Sequence, residues 1–505
     1  MPLKTEHLVI GTTALIFFLF VSFPLHTYTY DSLTYVLDVE SGRWEQLIHP
    51  HHLLYSPLCY SLWQVASVLT SKAAPLAVMQ GLGALAAALA FLLLYRILLL
   101  WNVDPLTAYA SAGIASLSYG HWRFATITEP YALHTFLALA LFLVASKIAR
   151  ESLEMDFYLA SLAALATLNL QSASLYLPSA ILLAHGRRGE WRVLFRRSFS
   201  ILTIFGMEVI IAYLLFGLLA GREVTEIPSW FFSYGMDQRW WSPEASKLIV
   251  AILAASDGVF GRILSATWSK LACLFSALLL IPFAINSLRR SLEKAYPLLW
   301  ASSLALFIQF AFYYQLDAGS PCYWTIVPFF LAMLLAPLLS HARKRKESRV
   351  VTSTLLVLLA LSPCTVFFTE ILPQSKAENY KGYALARYVE RVVSKGTLWT
   401  LGGRVEERIF KVFTPLTVRS IHDEIFESNV PLKRKGKALR MLFEKDLEES
   451  PVFLYRDLFN GQFQTLRYRD GRAIPRQYFA KIFAGSKIKA IRHGRTIFLW
   501  RVISP

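Results

Sequence analysis

Apolar runs of about 18 residues recur along the chain, at 8–25, 53–70, 76–98, 105–120, 131–149, 157–185, 196–220, 263–287, 296–314, 323–341 and 350–372. A helix needs roughly 20 such residues to cross a hydrocarbon core of about 30 Å. Lipid offers backbone N–H and C=O groups no partner, so a run of this kind folds as a helix that satisfies them internally. With 55% hydrophobic and 17% charged residues in a chain of 505, the expectation is an all-α polytopic membrane protein of about 11 to 13 hydrophobic helices. The first run follows MPLKTEH and meets no small-residue cleavage site before Tyr28, which reads as a retained span.

The formal net charge of +17 would suit nucleic acid, but the basic residues gather between apolar runs, in Lys147–Arg150, Arg187–Arg197, Arg289–Lys294 and His341–Arg349. That is the positive-inside pattern, so membrane lipids and not nucleic acid are the expected surroundings. With these clusters in the cytoplasm, parity places the loops holding His121–Glu129, 221–246 and Asp317 outside. Segment 157–185 begins and ends beside cytoplasmic clusters, which requires a pair of short helices meeting near Asn169–Ser172. Parity also requires that one of the runs 53–70, 76–98 and 105–120 does not cross. The first of these, interrupted by Ser56, Pro57, Ser61 and Gln64, is expected to lie in the interface or re-enter.

Residues 1–373 form the expected membrane domain, with a first extracytoplasmic loop at 26–52. From 374 to 505 the composition turns charged, and short β-like runs alternate with helical stretches, so a small extracytoplasmic α/β domain is expected there. Its last run carries His493-Gly494-Arg495 between two apolar strands, a hairpin signal. Cys59, Cys273, Cys322 and Cys364 form no CxxC or Cys/His cluster, hence no zinc site and no disulfide framework.

The first loop concentrates the chemistry. Asp31, Asp38, Glu40, Glu45, His49, His51 and His52 stand between two apolar runs, where acids are costly unless solvated or used. Outward polar residues elsewhere are His121, Arg123, Glu129, Asp237, Arg239 and Asp317. A carboxylate at the membrane surface can act as a general base or hold a divalent cation such as Mg or Mn. Arginine can hold a phosphate leaving group through paired N–H donors. Each residue also has a plainer reading. Asp31 stands where a helix cap would, and Glu129 where an acid supports a helix N-terminus. Arg123 and Arg239 neighbour tryptophans, as interfacial anchors do. The spacing His-Pro-His-His lacks the i, i+4 pattern of a helical zinc pair, so no protein metal site is expected.

The order of these residues resembles the GT-C glycosyltransferases, the group holding protein O-mannosyltransferases and lipid A aminoarabinose transferases. YDSLTY, SGRW and HPHHLLYSPL are similar to that family's first loop, with Asp31, Tyr35, Gly42 to Trp44 and His49 to Pro57 in the matching places. The family's adjacent prolines are here replaced by Pro50 and Pro57. ITEPYALH, with Glu129, Tyr131 and His134, resembles its second acidic motif, and LNLQSASLYLP resembles a later segment in which Gln171 and its neighbours do not reproduce a histidine. Asp317, Pro321 and Tyr323 agree more weakly.

The resemblance implies a polyprenyl-phosphate-linked sugar as donor, an extracytoplasmic site and inversion at the anomeric carbon. It makes Asp31 the catalytic base and Glu129 the second acid, with a divalent cation as the one cofactor to consider. Arg123, Arg239 and His52 are the candidates for the donor phosphate; Tyr35, His49, His51, Tyr131, Asp317 and Tyr323 are those for the acceptor and substrate loop. The acceptor would be a protein, glycan or lipid, and the membrane the plasma membrane of a prokaryote or the endoplasmic reticulum of a eukaryote. A mannosyltransferase is one such enzyme. Two other readings stay open: a transporter or flippase of lipid-linked material, and a scaffold that binds lipid-linked sugar without transferring it. No symmetric pair of Gly/Pro-broken spans, the mark of an inverted repeat, stands out.

Overall fold

The computed structural model describes residues 3–70, 73–186, 191–232, 245–260, 295–316, 319–344, 346–393, 395–400, 405–421, 432–455, 458, 487–493 and 496–504. They divide into two compact units, one of Met1–His26 with Asp38–Lys376, the other of Thr27–Leu37 with Ala377–Pro505.

The first unit is helical. Its helices include α1 (Leu3–Ser22), α2 (Tyr30–Ser41, shared with the second unit), α3 (Trp44–Leu47), α4 (Tyr55–Leu69), α5 (Pro75–Leu100), α6 (Pro105–Ser116), α7 (Tyr119–Thr126), α8 (Tyr131–Glu151), α9 (Asp156–Asn169), α10 (Leu177–His185), α11 (Trp191–Leu219), α12 (Ile227–Phe231) and α13 (Ala245–Phe260). Helices Tyr296–Leu316, Val327–Lys344 and Lys346–Val366 follow. Among the described residues, Pro75–Leu100, Tyr131–Glu151, Trp191–Leu219, Tyr296–Tyr313 and Pro321–Lys344 are long and apolar enough to cross a membrane.

Proline and polar caps set several helix starts. α5 and α6 open on Pro75 and Pro105, whose missing N–H would be unpaired there anyway, and Asp104 caps α6 by accepting from the Thr107 N–H at 3.1 Å. α2 ends where Gly42 turns to φ +66°, a conformation that a side chain resists. A Cβ on Gly42 would also meet the Tyr60 ring at 3.1 Å.

α5 and α8 form the middle of this unit. Within lipid, helices associate through close packing of small residues, and α5 supplies Ala84, Ala86, Ala87, Ala88 and Ala90, all buried. The apolar stretch of α8 is 72% buried and that of α11 only 22%, so α8 is a core helix and α11 an outer one. Buried polar side chains pair across helices: Trp101 Nε1 donates to Ser146 Oγ at 3.0 Å, and the Tyr176 hydroxyl to Gln309 Oε1 at 2.5 Å. Such bonds contribute about 0.6 kcal/mol each in a membrane bundle. Segment 157–185 is indeed two short helices: α9 ends at Asn169, a 3-10 turn runs over Gln171–Tyr176, and α10 follows.

The second unit carries a five-stranded sheet of order β2-β1-β3-β5-β4, from β1 (Thr397–Thr400), β2 (Thr417–Ser420), β3 (Val452–Tyr455), β4 (Lys487–His493) and β5 (Thr496–Ser504). β1 pairs parallel with β2 and β3, while β5 pairs antiparallel with β3 and β4. The His493 hairpin signal is thus realised, with His493 opposite Thr496. Helices Lys381–Val392, Val405–Phe413 and Leu432–Glu449 also belong to this unit. β1 and β3, inner strands of the sheet, are buried at every position. Within this unit Tyr28 lies 5.5 Å from the Phe413 ring and 6.0 Å from that of Tyr380, and Arg408 donates to the Tyr30 hydroxyl at 2.6 Å with its guanidinium 4.9 Å above the Tyr30 ring.

Candidate active site

In the second unit, Asp31 occupies the first turn of α2 and is exposed. It is not the helix cap. Thr29 and Ser32 cap each other: the Ser32 N–H donates to Thr29 Oγ1 at 3.0 Å, and the Thr29 N–H to Ser32 Oγ at 2.9 Å. This is a capping box with serine in the place that Glu or Gln usually takes. Asp31 has the favourable position of an anion near a helix N-terminus. Tyr35, one turn further on, is buried.

In the first unit, the histidine loop follows α3. Each histidine faces an acceptor that fixes its ring. His49 Nε2 donates to Asp38 Oδ2 at 2.9 Å, since a carboxylate only accepts. His52 Nδ1 donates to the Asn169 carbonyl at 3.1 Å. His51 Nδ1 lies 3.1 Å from Gln171 Oε1. Burial lowers the pKa of His51, against an opposing hydrogen bond from Gln171, and pushes that of His52 down to about 3. His52 is therefore a neutral ring throughout the physiological range.

The break between α9 and α10 organises this region. Gln171 Nε2 donates to Tyr213 Oη at 2.8 Å, to the Pro50 carbonyl at 3.0 Å and to the Phe231 carbonyl at 3.2 Å. Tyr213 donates in turn to the Pro50 carbonyl at 2.6 Å. Two residues earlier, Asn169 Nδ2 donates to the Pro130 carbonyl at 3.2 Å. One turn thus holds the histidine loop and the segment of the second acid together.

Glu129 is buried just before α8, whose N-cap is Pro130. Tyr131 packs edge-on against Tyr323 at 6.0 Å and Phe124 at 5.4 Å, and Tyr323 stacks on Tyr313 at 4.2 Å. Tyr313 donates to Ser172 Oγ at 2.5 Å, and Gln309 to the Tyr323 carbonyl. Arg123 of α7 is half-buried with its guanidinium 5.5 Å from the centre of the Phe124 ring, and no described carboxylate pairs with it. Its Nε is buried without a hydrogen-bond partner.

The structure therefore gathers His51, His52, Asn169 and Gln171 at one place, and Tyr131 with Tyr323 at another, Glu129 lying two residues before Tyr131. Asp31 and Tyr35 belong to the second unit, while Arg239 and Asp317 lie outside the described residues. Sequence reading passed over Tyr213 and the bonds of Gln171. The available signal was a polar residue at the break of an otherwise apolar run. Among the described residues, no three His, Cys, Asp or Glu side chains stand together as a donor set for a cation.

No protein-family model matches the chain, and no curated protein does. Its fold is nonetheless one already seen: a helical membrane unit with a small α/β tail, the GT-C fold of membrane glycosyltransferases. The chain is similar to ArnT, an aminoarabinose transferase, from Cupriavidus metallidurans bound to undecaprenyl phosphate, at TM-score 0.59 and 11% identity over 99% of this chain and 98% of that one. It is also similar to the Archaeoglobus fulgidus oligosaccharyltransferase in complex with Zn and sulfate, at TM-score 0.52 and 11% identity over 95% of this chain and 72% of that one. With its apolar helices, the fold makes the chain a multi-pass integral membrane protein.

Proposed function

We propose that the chain is a membrane glycosyltransferase that moves a sugar from a polyprenyl-phosphate donor to an acceptor hydroxyl or amine on the extracytoplasmic side, with inversion at the anomeric carbon. The observation that carries this reading is end-to-end similarity to a structure holding undecaprenyl phosphate. The half-buried Arg123 supports it, being a guanidinium that no described carboxylate neutralises. Arg123 would hold the donor phosphate, with Arg239 and His52 as further candidates.

In the proposed step the acceptor oxygen or nitrogen attacks the anomeric carbon as the bond from that carbon to the phosphate oxygen breaks. Asp31 takes the proton of the nucleophile, and the lipid phosphate departs with the electron pair. Glu129 orients the acceptor. Tyr35, His49, His51, Tyr131, Asp317 and Tyr323 complete the acceptor and substrate surface. A Mg or Mn ion would help to hold the phosphate, but the described residues offer it no donor set, so no step is written through it.

The test is sugar transfer from a panel of radiolabelled polyprenyl-phosphate sugars, in membranes with matched amounts of wild type or Asp31→Asn. Asparagine keeps the shape of Asp31 without its basicity, so the expected loss is on the order of a hundredfold or more. Equal transfer by both would remove Asp31 from the chemistry and leave Glu129 as the candidate base. If neither transfers any sugar on the panel, the transporter or binding-scaffold reading replaces this one.

A further inference from the structure

Within the second unit, the first turn of α2 is gripped by side chains that come 352 and 378 residues later. Tyr380 and Phe413 hold Tyr28: its ring lies 6.0 Å and 5.5 Å from theirs, and the Tyr380 hydroxyl donates to the Tyr28 carbonyl at 3.4 Å. Tyr383 packs edge-on against Phe413 at 5.1 Å, which joins helices Lys381–Val392 and Val405–Phe413 in one support. Arg408 holds Tyr30, through the hydroxyl at 2.6 Å and through the ring face at 4.9 Å. The guanidinium is itself steadied by Glu407, 3.8 Å away, whose buried carboxylate also takes Lys411 at 2.5 Å. Between these two grips Thr29 and Ser32 cap each other. Tyr28, Thr29, Tyr30 and Ser32 are thus each held, and the one exposed residue of this stretch is Asp31.

Helix ends fray, and a frayed first turn would let Asp31 wander. A general base must stand within hydrogen-bond reach of its proton, and a misplacement of about 1 Å can cost about a hundredfold in rate. We propose that Arg408 is a positioning residue for the transfer step: by fixing Tyr30 it fixes the first turn of α2 and, with it, the carboxylate of Asp31. The α/β tail is then a working part of the enzyme, the support for a base that the start of the chain carries. Arginine suits the task, because its planar fork lies over a ring and donates to the hydroxyl at once, and its charge does not titrate away. The proposal rests on the glycosyltransferase reading with Asp31 as base.

The experiment pairs two readouts on the purified full chain. Hydrogen–deuterium exchange, followed by mass spectrometry on peptides covering 27–37, reports the first turn, where the Ser32 and Leu33 amides donate to Thr29 Oγ1 and to the Thr29 carbonyl. Steady-state transfer reports the chemistry. In Arg408→Ala, exchange of that stretch should be at least about threefold faster while β1 and β3 keep their wild-type protection. The kcat should fall by about tenfold or more, with KM for donor and acceptor within about threefold of wild type. Arg408→Lys keeps a cation for the ring and a donor for the hydroxyl, and should recover most of both. A role in the tail's stability alone would loosen β1 and β3 with the rest and leave kcat per folded molecule unchanged, which overturns the proposal. Wild-type exchange over 27–37, or a loosened first turn with wild-type kcat, overturns it as well.

If Arg408→Ala is not recovered folded, Tyr30→Phe decides, since it removes one hydrogen bond and no packing. It should speed exchange over 27–37 and lower kcat by about threefold each; a wild-type value of either overturns the proposal. The exchange readout needs no sugar donor. A first turn loosened in Arg408→Ala, in a chain whose wild type transfers nothing from the panel, removes the glycosyltransferase reading and this proposal with it. Normal transfer by both wild type and Arg408→Ala removes this proposal alone.

Discussion

Thr29, and not Asp31, carries the start of α2, and the difference is measurable. Thr29→Ala removes a capping oxygen and should lower stability by about 0.5–2 kcal/mol in a denaturation experiment. Asp31→Asn removes a charge near a helix end, which contributes roughly 0.3–1 kcal/mol, so its effect on transfer is read at matched protein levels. The plainer sequence reading of Asp31, beside its role as base, was a helix cap, because aspartate is a preferred cap residue. It could not show that a threonine two residues earlier would pair with Ser32, since a capping box is normally recognised by Glu or Gln at that place. Arg123 makes a second residue-scale case. Arg123→Ala should raise KM for a polyprenyl-phosphate donor by tenfold or more, and Arg123→Lys should recover part of the loss, lysine keeping the charge without the paired donors.

The turn between α9 and α10 shows what a pattern of apolar runs can and cannot reveal. Its place was legible, because a run with basic clusters at both ends must double back and Asn169–Ser172 are its polar residues. Its partners were not. Gln171 reaches Pro50, Tyr213 and Phe231, which lie 121, 42 and 60 residues away, and two of those contacts are to backbone carbonyls that leave no trace in side-chain chemistry. The half-buried His52 that this turn holds gives a pH dependence. Its pKa falls to about 3 when folded, below the 6.5 of an ordinary histidine, so between those values the unfolded chain binds the extra proton. Stability should be fully present above about pH 6.5 and fall as the pH drops towards 3, with a slope of up to about 1.4 kcal/mol per pH unit from this residue. Thermal unfolding of wild type against His52→Gln over that range would show it, the variant having the shallower slope. α4 makes another prediction at this scale. With 15 residues it spans about 22 Å, short of a hydrocarbon core of about 30 Å. A reporter fused at Lys72 should accordingly read extracytoplasmic, on the same side as the first loop.

At the scale of the whole molecule, hydropathy was enough for the class of fold, because lipid permits so few solutions to a chain of apolar runs. The α/β tail was legible from its change of composition and its closing hairpin. Less visible was that Thr27–Leu37 clusters with the tail, since the link is made by Tyr28, Tyr30 and Arg408, single residues far apart in sequence. A double-mutant cycle of Arg408→Ala and Tyr30→Phe should return a coupling of about 0.5–3 kcal/mol if the contact contributes to that unit's stability.

That pairing also sets a clock on the birth of the protein. The segment ending at Leu37 leaves the ribosome about 340 residues before the rest of its unit begins at Ala377, a delay of roughly 17–70 s at about 5–20 residues per second. For that interval the start of α2 lacks the partners that Tyr28 and Tyr30 meet in the folded unit. The nascent chain should therefore carry its proposed base on an unfinished helix start until the stretch from Ala377 is made, so that a product lacking that stretch stays chemically silent.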